Sequence, residues 1–355
     1  MRAEPVTFND SPLANEHKGA SEMANFELAG LSAAPGEVVK GHLGHVTLAD
    51  GNKVGVPVVI VNGVEDGPTL VVTASIHGTE INGTGALLKT VRATDPQQLK
   101  GRLVAITVGN PFAFQVGSYF SPVIAPTGDG INMSSAPMWP ADSGGTVTLR
   151  LAGVIGEALK VATHSIDVHS NPPDAIPFTL IRRDACPDEK VLAEMEKMAE
   201  AWGFTVIDSP GRSATGVVGS SLAHGIPSMT PELIADFFLW EDNTNSGQIG
   251  ITNTMKAIGM LEGDIVPQAT TPMQGDFYMA DRLTSHKGGL MWIKHPPGTF
   301  LREGDTAVDM MDVWGDLIEE VKMPYDGYCW SFTGGVGYTQ VVPEGTQIAF
   351  TFRER

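Results

Sequence analysis

Short apolar runs alternate with segments of helical period along the middle of this 355-residue chain, and few folds accommodate that order. Leu70–Ile76 is an apolar run, and Ile81–Val91 follows it with leucine and valine at helical spacing. Leu103–Val108 and Ser165–Val168 are further strand-like runs, and Val191–Trp202 is an amphipathic helical pattern. The alternation also includes a helical segment at Val147–Val161 and strand segments at Thr205–Ile207 and Ile226–Thr230. This order predicts an α/β architecture with helices on both faces of a sheet.

The two ends of the chain differ from this middle part. Residues 1–25 are polar and without period, which is typical of an N-terminal arm. Val38–Val61 alternates apolar and polar residues around a turn, which predicts a β-hairpin. After Gly263 the helical period disappears, and Gly, Pro and Asp separate short apolar runs. We therefore predict an α/β domain over 26–267 and a small all-β domain over 268–355.

Composition limits the classes of partner. The formal charge is −18, from 41 acidic and 23 basic residues, and such a charge repels nucleic acid and anionic membrane surfaces. No apolar stretch approaches the roughly 18 residues of a membrane span, and the N-terminus lacks the layout of a secretory signal. We expect a cytoplasmic protein with a small-molecule substrate and with neither nucleic acid nor membrane as a partner. Self-association is left open.

His77 and Glu80 form an H-x-x-E motif directly after the apolar run Leu70–Ile76. Catalytic zinc sites commonly take two ligands close in sequence and a third from far away, with one coordination position left for water. His169, at the end of another strand-like segment, is the predicted third ligand. Side chains at strand ends point into the crevice at the carboxyl edge of an α/β sheet. Asp167 shares a strand face with His169, so its carboxylate is expected near the ligand ring.

Glu232 is the candidate catalytic group. Zinc-assisted hydrolysis of an amide needs a carboxylate that accepts a proton from water and delivers it to the leaving nitrogen. Glu232 lies in the segment Gly225–Leu233, at the end of a third strand-like run, and is therefore expected at the same sheet edge as the ligands. The local sequence is equally compatible with a carboxylate that stabilises the start of a helix.

The order of these motifs resembles the succinylglutamate desuccinylase and aspartoacylase family, whose fold belongs with the zinc carboxypeptidases. The motifs are H-x-x-E after a strand, then N-P-x-A-F, D-x-H and G-I-P-x-x-x-x-E-L, followed by a β-rich tail. The resemblance implies a mixed sheet flanked by helices, with a C-terminal all-β unit that shields the active site. It also implies one zinc ion per chain, held by His77, Glu80 and His169. Glu232 would then be the general base and acid in cleavage of a small N-acyl or cyclic amide.

The chain departs from the family at two arginines that bind the substrate carboxylate and the developing oxyanion. Tyr119 stands where the first arginine is expected after N-P-x-A-F. The D-L-N-R signature reads Asp129-Gly130-Ile131-Asn132-Met133, which keeps the asparagine but places methionine at the second arginine. Methionine cannot replace the charge or the fork geometry of arginine. Tyr119 or Asn132 is expected to be the oxyanion donor instead.

These departures predict a substrate less anionic than succinylglutamate or acetylaspartate. The residues expected to line its pocket are Met133, Met138, Trp139 and Phe120. In the alternative, arginines from other loops restore the carboxylate clamp, and the candidates are Arg182, Arg183 and Arg212. Two further functions also stay open: a relative that binds metal or ligand without turnover, and an esterase that uses the same metal site.

Overall fold

The described part of the chain leaves out several short segments. The computed structural model describes residues 24–122, 130–139, 145–173, 175–235, 237–332 and 340–355. Most of the predicted arm over residues 1–25 lies outside these ranges, as does Asp129.

Six α-helices and nineteen strands are present in the described residues. The helices are α1 (Ile81–Ala93), α2 (Pro111–Val116), α3 (Val147–Leu159), α4 (Glu189–Trp202), α5 (Gly216–Ala223) and α6 (Glu241–Ala257). The first ten strands are β1 (Phe26–Leu28), β2 (Leu31–Ala33), β3 (Val38–Thr47), β4 (Lys53–Asn62), β5 (Glu65–Ala74), β6 (Lys100–Ile106), β7 (His164–Ser170), β8 (Phe178–Ile181), β9 (Thr205–Asp208) and β10 (Ser228–Leu233). The remaining strands are β11 (Phe277–Met279), β12 (Leu283–Thr284), β13 (Gly289–Ile293), β14 (Thr299–Leu301), β15 (Thr306–Met311), β16 (Leu317–Lys322), β17 (Gly327–Phe332), β18 (Val341–Val342) and β19 (Gln347–Glu354).

A mixed sheet forms the centre of the molecule, in the order β3-β4-β6-β5-β7-β10-β8-β9. β5 is parallel to β6 and β7, and β7 is parallel to β10. β4 pairs with β3 as the predicted hairpin and is antiparallel to β6, while β8 is antiparallel to β10. The predicted α/β class is therefore confirmed.

Apolar residues on alternate sides of the strands form two cores, one on each face of the sheet. Helices α1, α4 and α6 cover one face, where Leu87, Met195 and Ile251 are buried. Helix α3 covers the other face with Leu151 and Ile155. Burial on both faces explains why the central strands read as continuous apolar runs. None of the helices within the described ranges has both the length and the hydrophobicity that crossing a lipid bilayer requires.

As far as the structure describes it, the chain after α6 forms only β-strands, as predicted. A four-stranded sheet, β16-β15-β13-β18, shares a separate apolar core with strands β12, β14, β17 and β19. Strand β11 pairs in parallel with β9, and β19 pairs with β11, so the central sheet continues into the C-terminal region. The boundary at residue 268 stays a prediction.

Candidate active site

Three adjacent strands bring the predicted site residues together at the carboxyl edge of the sheet. His77 follows the end of β5, His169 lies in β7, and Glu232 lies in β10. β7 pairs with β5 on one side and with β10 on the other. Glu232 is directly opposite His169 in the parallel register of β7 and β10. The sheet topology thus explains how residues far apart in sequence meet at one site.

The turn that carries His77 and Glu80 is tightly packed. Ser75, just before it, has a φ of 50°, a left-handed conformation that non-glycine residues adopt rarely and mostly at constrained sites. A Cβ at Gly78 would lie 2.0 Å from the backbone carbonyl carbon of Ala113, so only glycine fits there. The amide of Gly78 donates to the carbonyl of Ser118 at 2.9 Å. Helix α2 and the segment after it therefore fix the conformation of the turn.

His77, Glu80 and His169 form a buried set of atoms that could hold a metal ion. The Nδ1 atom of His77 lies 2.6 Å from Oε1 of Glu80, and the Nδ1 atom of His169 lies 2.8 Å from Oε2 of the same carboxylate. One donor atom from each residue lies within 4.8 Å of the others. Two imidazole nitrogens and one carboxylate are a donor set of catalytic zinc sites, so these residues fit the implied metal.

Both histidines are oriented through their other ring nitrogen. The Nε2 atom of His77 lies 2.9 Å from Oδ1 of Asn132, and that of His169 lies 2.9 Å from Oδ2 of Asp167. Thr73 in turn donates its hydroxyl to Asp167. The contact expected between Asp167 and His169 is present, and both Nδ1 atoms are left facing the Glu80 carboxylate. Partners of this kind fix the tautomer and the ring orientation of a metal ligand.

Replacement of Asp167 with asparagine is expected to weaken metal binding about 10- to 100-fold, because the His169 ring loses a charged partner. Competition of the purified variant against a zinc chelator with a graded affinity measures this loss. Asp50→Asn, in the exposed turn between β3 and β4, is the matched control and should bind metal like the unaltered protein. Equal zinc affinities for the Asp167 and Asp50 variants would contradict the role of Asp167.

Opposing effects act on the ionisation of the ligands. Burial favours a raised pKa for Glu80, but the charges and hydrogen bonds of His77 and His169 outweigh it and hold the pKa at about 2. Burial lowers the pKa of His169, yet Asp167 and Glu80 together raise it well above its usual value. A carboxylate that stays ionised suits coordination of a divalent cation.

Glu232 lies in a different electrostatic environment. Burial raises its pKa to about 8, with the charge of His169 opposing the shift and that of Glu80 adding to it. Nδ2 of Asn171 donates to Oε2 of Glu232 at 2.9 Å and fixes the carboxyl group. Two carboxylates with pKa values shifted in opposite directions are typical of a site that divides ligand and proton-transfer roles.

Tyr119 packs directly on the ligand set. Its ring stacks on the His77 imidazole with a centroid distance of 3.6 Å and an interplanar angle of 19°. Burial and the charges of Glu80 and Glu232 raise the pKa of its hydroxyl, while a hydrogen bond with Asn132 lowers it less. Tyr119 therefore stays neutral and keeps an O–H donor beside the ligands.

A cavity of about 860 Å³ opens above these residues. Residues of the α/β part and of the C-terminal β-rich part of the chain line it. Three arginines reach it, namely Arg182, Arg212 and Arg282. Their hydrogen bonds go to neutral groups: Arg182 donates to the carbonyl of Ser213 at 3.2 Å, Arg212 to the Ser209 hydroxyl at 2.7 Å, and Arg282 to the Gln347 amide oxygen at 2.7 Å. Burial lowers the pKa of all three, that of Arg182 to about 10. The guanidinium groups thus face the cavity without a carboxylate hydrogen-bonded to them in the described residues.

A family model of the succinylglutamate desuccinylase/aspartoacylase catalytic domain matches residues 66–258, more than half of the chain. The chain belongs to this family. N-alpha-acetyl-L-2,4-diaminobutyric acid deacetylase of Halomonas elongata is 28% identical over 227 residues, which are 59% of this chain. The match spans 60% of the length of that relative.

Two solved structures share the family fold over most of the chain. The product-bound ectoine utilization protein EutE (DoeB) from Ruegeria pomeroyi has a TM-score of 0.76 and 22% identity, covering 89% of this chain and 95% of that one. The succinylglutamate desuccinylase/aspartoacylase from Rhodobacter sphaeroides has a TM-score of 0.75, also with 22% identity and coverage of 89% and 95%. At this level of identity the likeness establishes the fold.

The substrate pocket predicted from the family departures is wrong in several positions. Met133, predicted to contact substrate, is fully buried in the core under α3, as is Met138. The cavity wall, as far as the chain is described, also lacks Phe120 and Trp139, and the Trp139 ring stacks instead on His224 at 3.8 Å. Methionine at the family arginine position thus fills core volume and does not line the pocket.

The alternative with arginines from other loops is closer to the structure. Arg182 and Arg212 do line the cavity, whereas Arg183 forms ion pairs with Glu196 and Asp276 outside it. Arg282 was not predicted, because it comes from the C-terminal region and lies in no motif. Its guanidinium lies 4.1 Å from the Phe350 ring centre, a stacking contact that no local sequence signal reveals.

Proposed function

We propose that this protein is a zinc-dependent amidohydrolase that removes the acyl group from a small N-acylated amino acid. The observation that carries the proposal is the buried ligand set His77, Glu80 and His169, which shares one cavity with Glu232 on the neighbouring strand. Family membership supports hydrolysis of an amide bond. The named substrate of the Halomonas relative is an N-acetylated amino acid, which supports the same class here.

His77, Glu80 and His169 would hold the zinc through both Nδ1 atoms and the Glu80 carboxylate. A zinc ion bound there supplies Lewis-acid polarisation of the amide carbonyl and lowers the pKa of water. Glu232 accepts a proton from the attacking water as its oxygen bonds to the acyl carbon. When the carbon–nitrogen bond breaks, Glu232 delivers that proton to the leaving nitrogen, so the products are a carboxylic acid and an amine. Asn171 holds the Glu232 carboxyl group during both transfers.

Tyr119 is our proposed donor to the oxygen of the substrate carbonyl. Its raised hydroxyl pKa keeps the proton on the tyrosine, and its stacking on His77 holds the ring in place. A neutral O–H donor at this position stabilises the developing negative charge without adding a cation. This role replaces that of the family arginine which Tyr119 stands for in the sequence.

The arginines of the cavity define the substrate further. Arg182, Arg212 and Arg282 bring positive charge to one cavity of a chain with a formal charge of −18. Guanidinium groups bind carboxylates through paired, charge-assisted hydrogen bonds. We infer a substrate with a free carboxylate. A single carboxylate still leaves it less anionic than succinylglutamate or acetylaspartate, whereas a wholly neutral amide is disfavoured.

A matched pair of substrates tests this proposal. The zinc-loaded protein is assayed with N-acetyl-L-amino acids and with the corresponding α-carboxamides, and acetate release is measured. We expect kcat/KM to be at least about tenfold higher for the free carboxylates, because a charge-assisted hydrogen bond is lost in the carboxamide. Absence of any acyl-amide hydrolysis at one equivalent of zinc would favour a non-catalytic binding protein. Faster turnover of matched esters, with amides untouched, would favour an esterase.

Replacement of Arg212 with methionine is expected to raise KM for the free-carboxylate substrate about 10- to 100-fold, with a much smaller change for the carboxamide. The matched control is Arg302→Met, an exposed arginine in the C-terminal region outside the cavity lining. Equal KM changes for both substrates would contradict a role of Arg212 in carboxylate binding.

A further inference from the structure

We propose that Asn82 is a positioning residue for this reaction, because it ties the strand end that carries Glu232 to the turn that carries the metal ligands. This inference rests on the proposed function, since it concerns the placement of the general base. Asn82 lies in the first turn of α1, two positions after Glu80, and its side chain is completely buried. No motif of the sequence analysis includes it.

One side-chain amide makes four contacts with the loop that follows β10. The Nδ2 atom of Asn82 lies 3.1 Å from the carbonyl oxygen of Ile234, 2.6 Å from that of Ala235 and 2.7 Å from that of Phe238. Its Oδ1 atom accepts from the amide of Trp240 at 3.1 Å. The amide has two N–H donors for three carbonyls, so one of these contacts is shared or weaker. Both the Nδ2 atom and the Oδ1 atom of Asn82 thus contact the same loop.

Among the described residues, other hydrogen bonds also hold this loop: the amide of Phe237 donates to the carbonyl of Thr79 at 2.8 Å, and Nδ2 of Asn243 donates to the carbonyl of Ile234 at 3.2 Å. Phe238, Leu239 and Trp240 are 58%, 62% and 55% exposed, so their apolar side chains gain little from packing. Ala235 and Phe237 have φ values of 67° and 66°, which residues with a Cβ rarely adopt. A strained loop with solvent-exposed side chains persists only where other contacts determine it. The buried amide of Asn82 supplies four of these contacts, beside the hydrogen bonds of Phe237 and Asn243.

The tether acts close to Glu232. Ile234, which accepts from Asn82, is two residues after Glu232 in the chain. On the other side, Asn171 donates its backbone amide to the carbonyl of Leu233 at 2.7 Å. The end of β10 is therefore held from β7 and from α1. Loss of the α1 side would let the general base shift relative to the ligands, and a shift of about 1 Å can cost on the order of 100-fold in rate.

The test compares two asparagines that contact the same loop. Asn82→Ala removes the buried tether, and Asn243→Ala removes a single donation from Nδ2 of Asn243 to the carbonyl of Ile234, at 3.2 Å. We expect Asn82→Ala to lower kcat about 10- to 100-fold with KM within about threefold and one zinc still bound. Asn243→Ala should stay within about twofold in kcat. Should Asn82→Ala not fold, Asn82→Ser, which keeps a short hydroxyl, takes its place with the same expectation.

Amide hydrogen exchange of residues 237–240 in the same proteins gives a readout that does not need turnover. We expect faster exchange in the Asn82 variant than in the Asn243 variant, because Trp240 loses its acceptor. An active unaltered protein with unchanged kcat in the Asn82 variant would overturn the inference. An inactive unaltered protein refutes the proposed function and with it any role of Asn82 in turnover. Unchanged exchange would overturn the tether itself, with or without activity.

Discussion

Replacement of Glu232 with glutamine is expected to lower kcat about 10²- to 10⁴-fold, because the amide can neither accept the proton of water nor pass it to the leaving nitrogen. Glutamine keeps nearly the same shape and can still contact Asn171, so the metal ligands should stay in place. The variant should therefore bind one equivalent of zinc with unchanged affinity. Steady-state acetate release from an N-acetyl-amino acid, measured together with zinc content, checks both expectations.

The control for this substitution is Glu200→Gln, an exposed carboxylate on α4. Its kcat should equal that of the unaltered protein. A Glu232→Gln protein that keeps full turnover would reject Glu232 as the proton-transfer group and leave the carboxylate a structural role. A variant that loses both turnover and zinc would instead point to Glu232 as part of metal binding.

Removal of the metal is expected to lower turnover at least about 10³-fold, since several kcal/mol of transition-state stabilisation depend on it. Dialysis against a chelator followed by stepwise addition of Zn²⁺ should restore activity, with an end point at one equivalent per chain. Among substitutions of the three proposed ligands, Glu80→Gln should weaken the restoration of activity by Zn²⁺ most, because Glu80 contacts both histidines.

Reconstitution with other divalent ions extends the same experiment. Imidazole and carboxylate ligands accept several metals, so Co²⁺ or Mn²⁺ is expected to support partial activity. Full turnover in the chelated protein, at a zinc content below about one tenth of an equivalent, would contradict a metal-dependent reaction. The elemental content of each sample has to be measured alongside the rate.

The candidate ligand set was predictable because His77 and Glu80 directly follow one apolar strand-like run and His169 ends another. That these residues lie close together could be predicted without knowledge of tertiary contacts, since parallel strands end at the same sheet edge. The start of helix α2 at Asn110-Pro111 also has a local cause in the sequence. The Asn110 side chain accepts from the amide of Ala113 at 3.2 Å and Pro111 takes the first position of α2, both of which are helix-start signals.

Helix α6 was missed because its sequence is polar and contains glycines. Its contacts depend on what those glycines face: a Cβ at Gly247 would lie 2.5 Å from the Cβ of Ala86, and one at Gly250 would lie 2.3 Å from the Trp202 ring. Helix α6 thus packs its glycine backbone closely against α1 and α4. A pattern of apolar side chains does not reveal such contacts. The helix is therefore stabilised by contacts with neighbouring elements and not by local helix propensity.

The substrate side of the cavity could not be predicted for a related reason. Met133 at a family arginine position suggested a pocket residue, but packing under α3 places it in the core. Arg212 was one of three candidate arginines in the alternative prediction, whereas Arg282 was in none, and only the tertiary fold brings both into one cavity. Side chains on strand ends follow from topology, whereas side chains on loops follow from contacts that sequence patterns do not record.

Anomalous diffraction at the zinc edge, from crystals grown with one equivalent of Zn²⁺, tests the central claim most directly. We predict one ion per chain, about 2.0–2.2 Å from the Nδ1 atoms of His77 and His169 and from a carboxylate oxygen of Glu80. Glu232 should lie near the ion without being a ligand. An ion bound elsewhere, or no ion at these three residues, would contradict the proposed hydrolase.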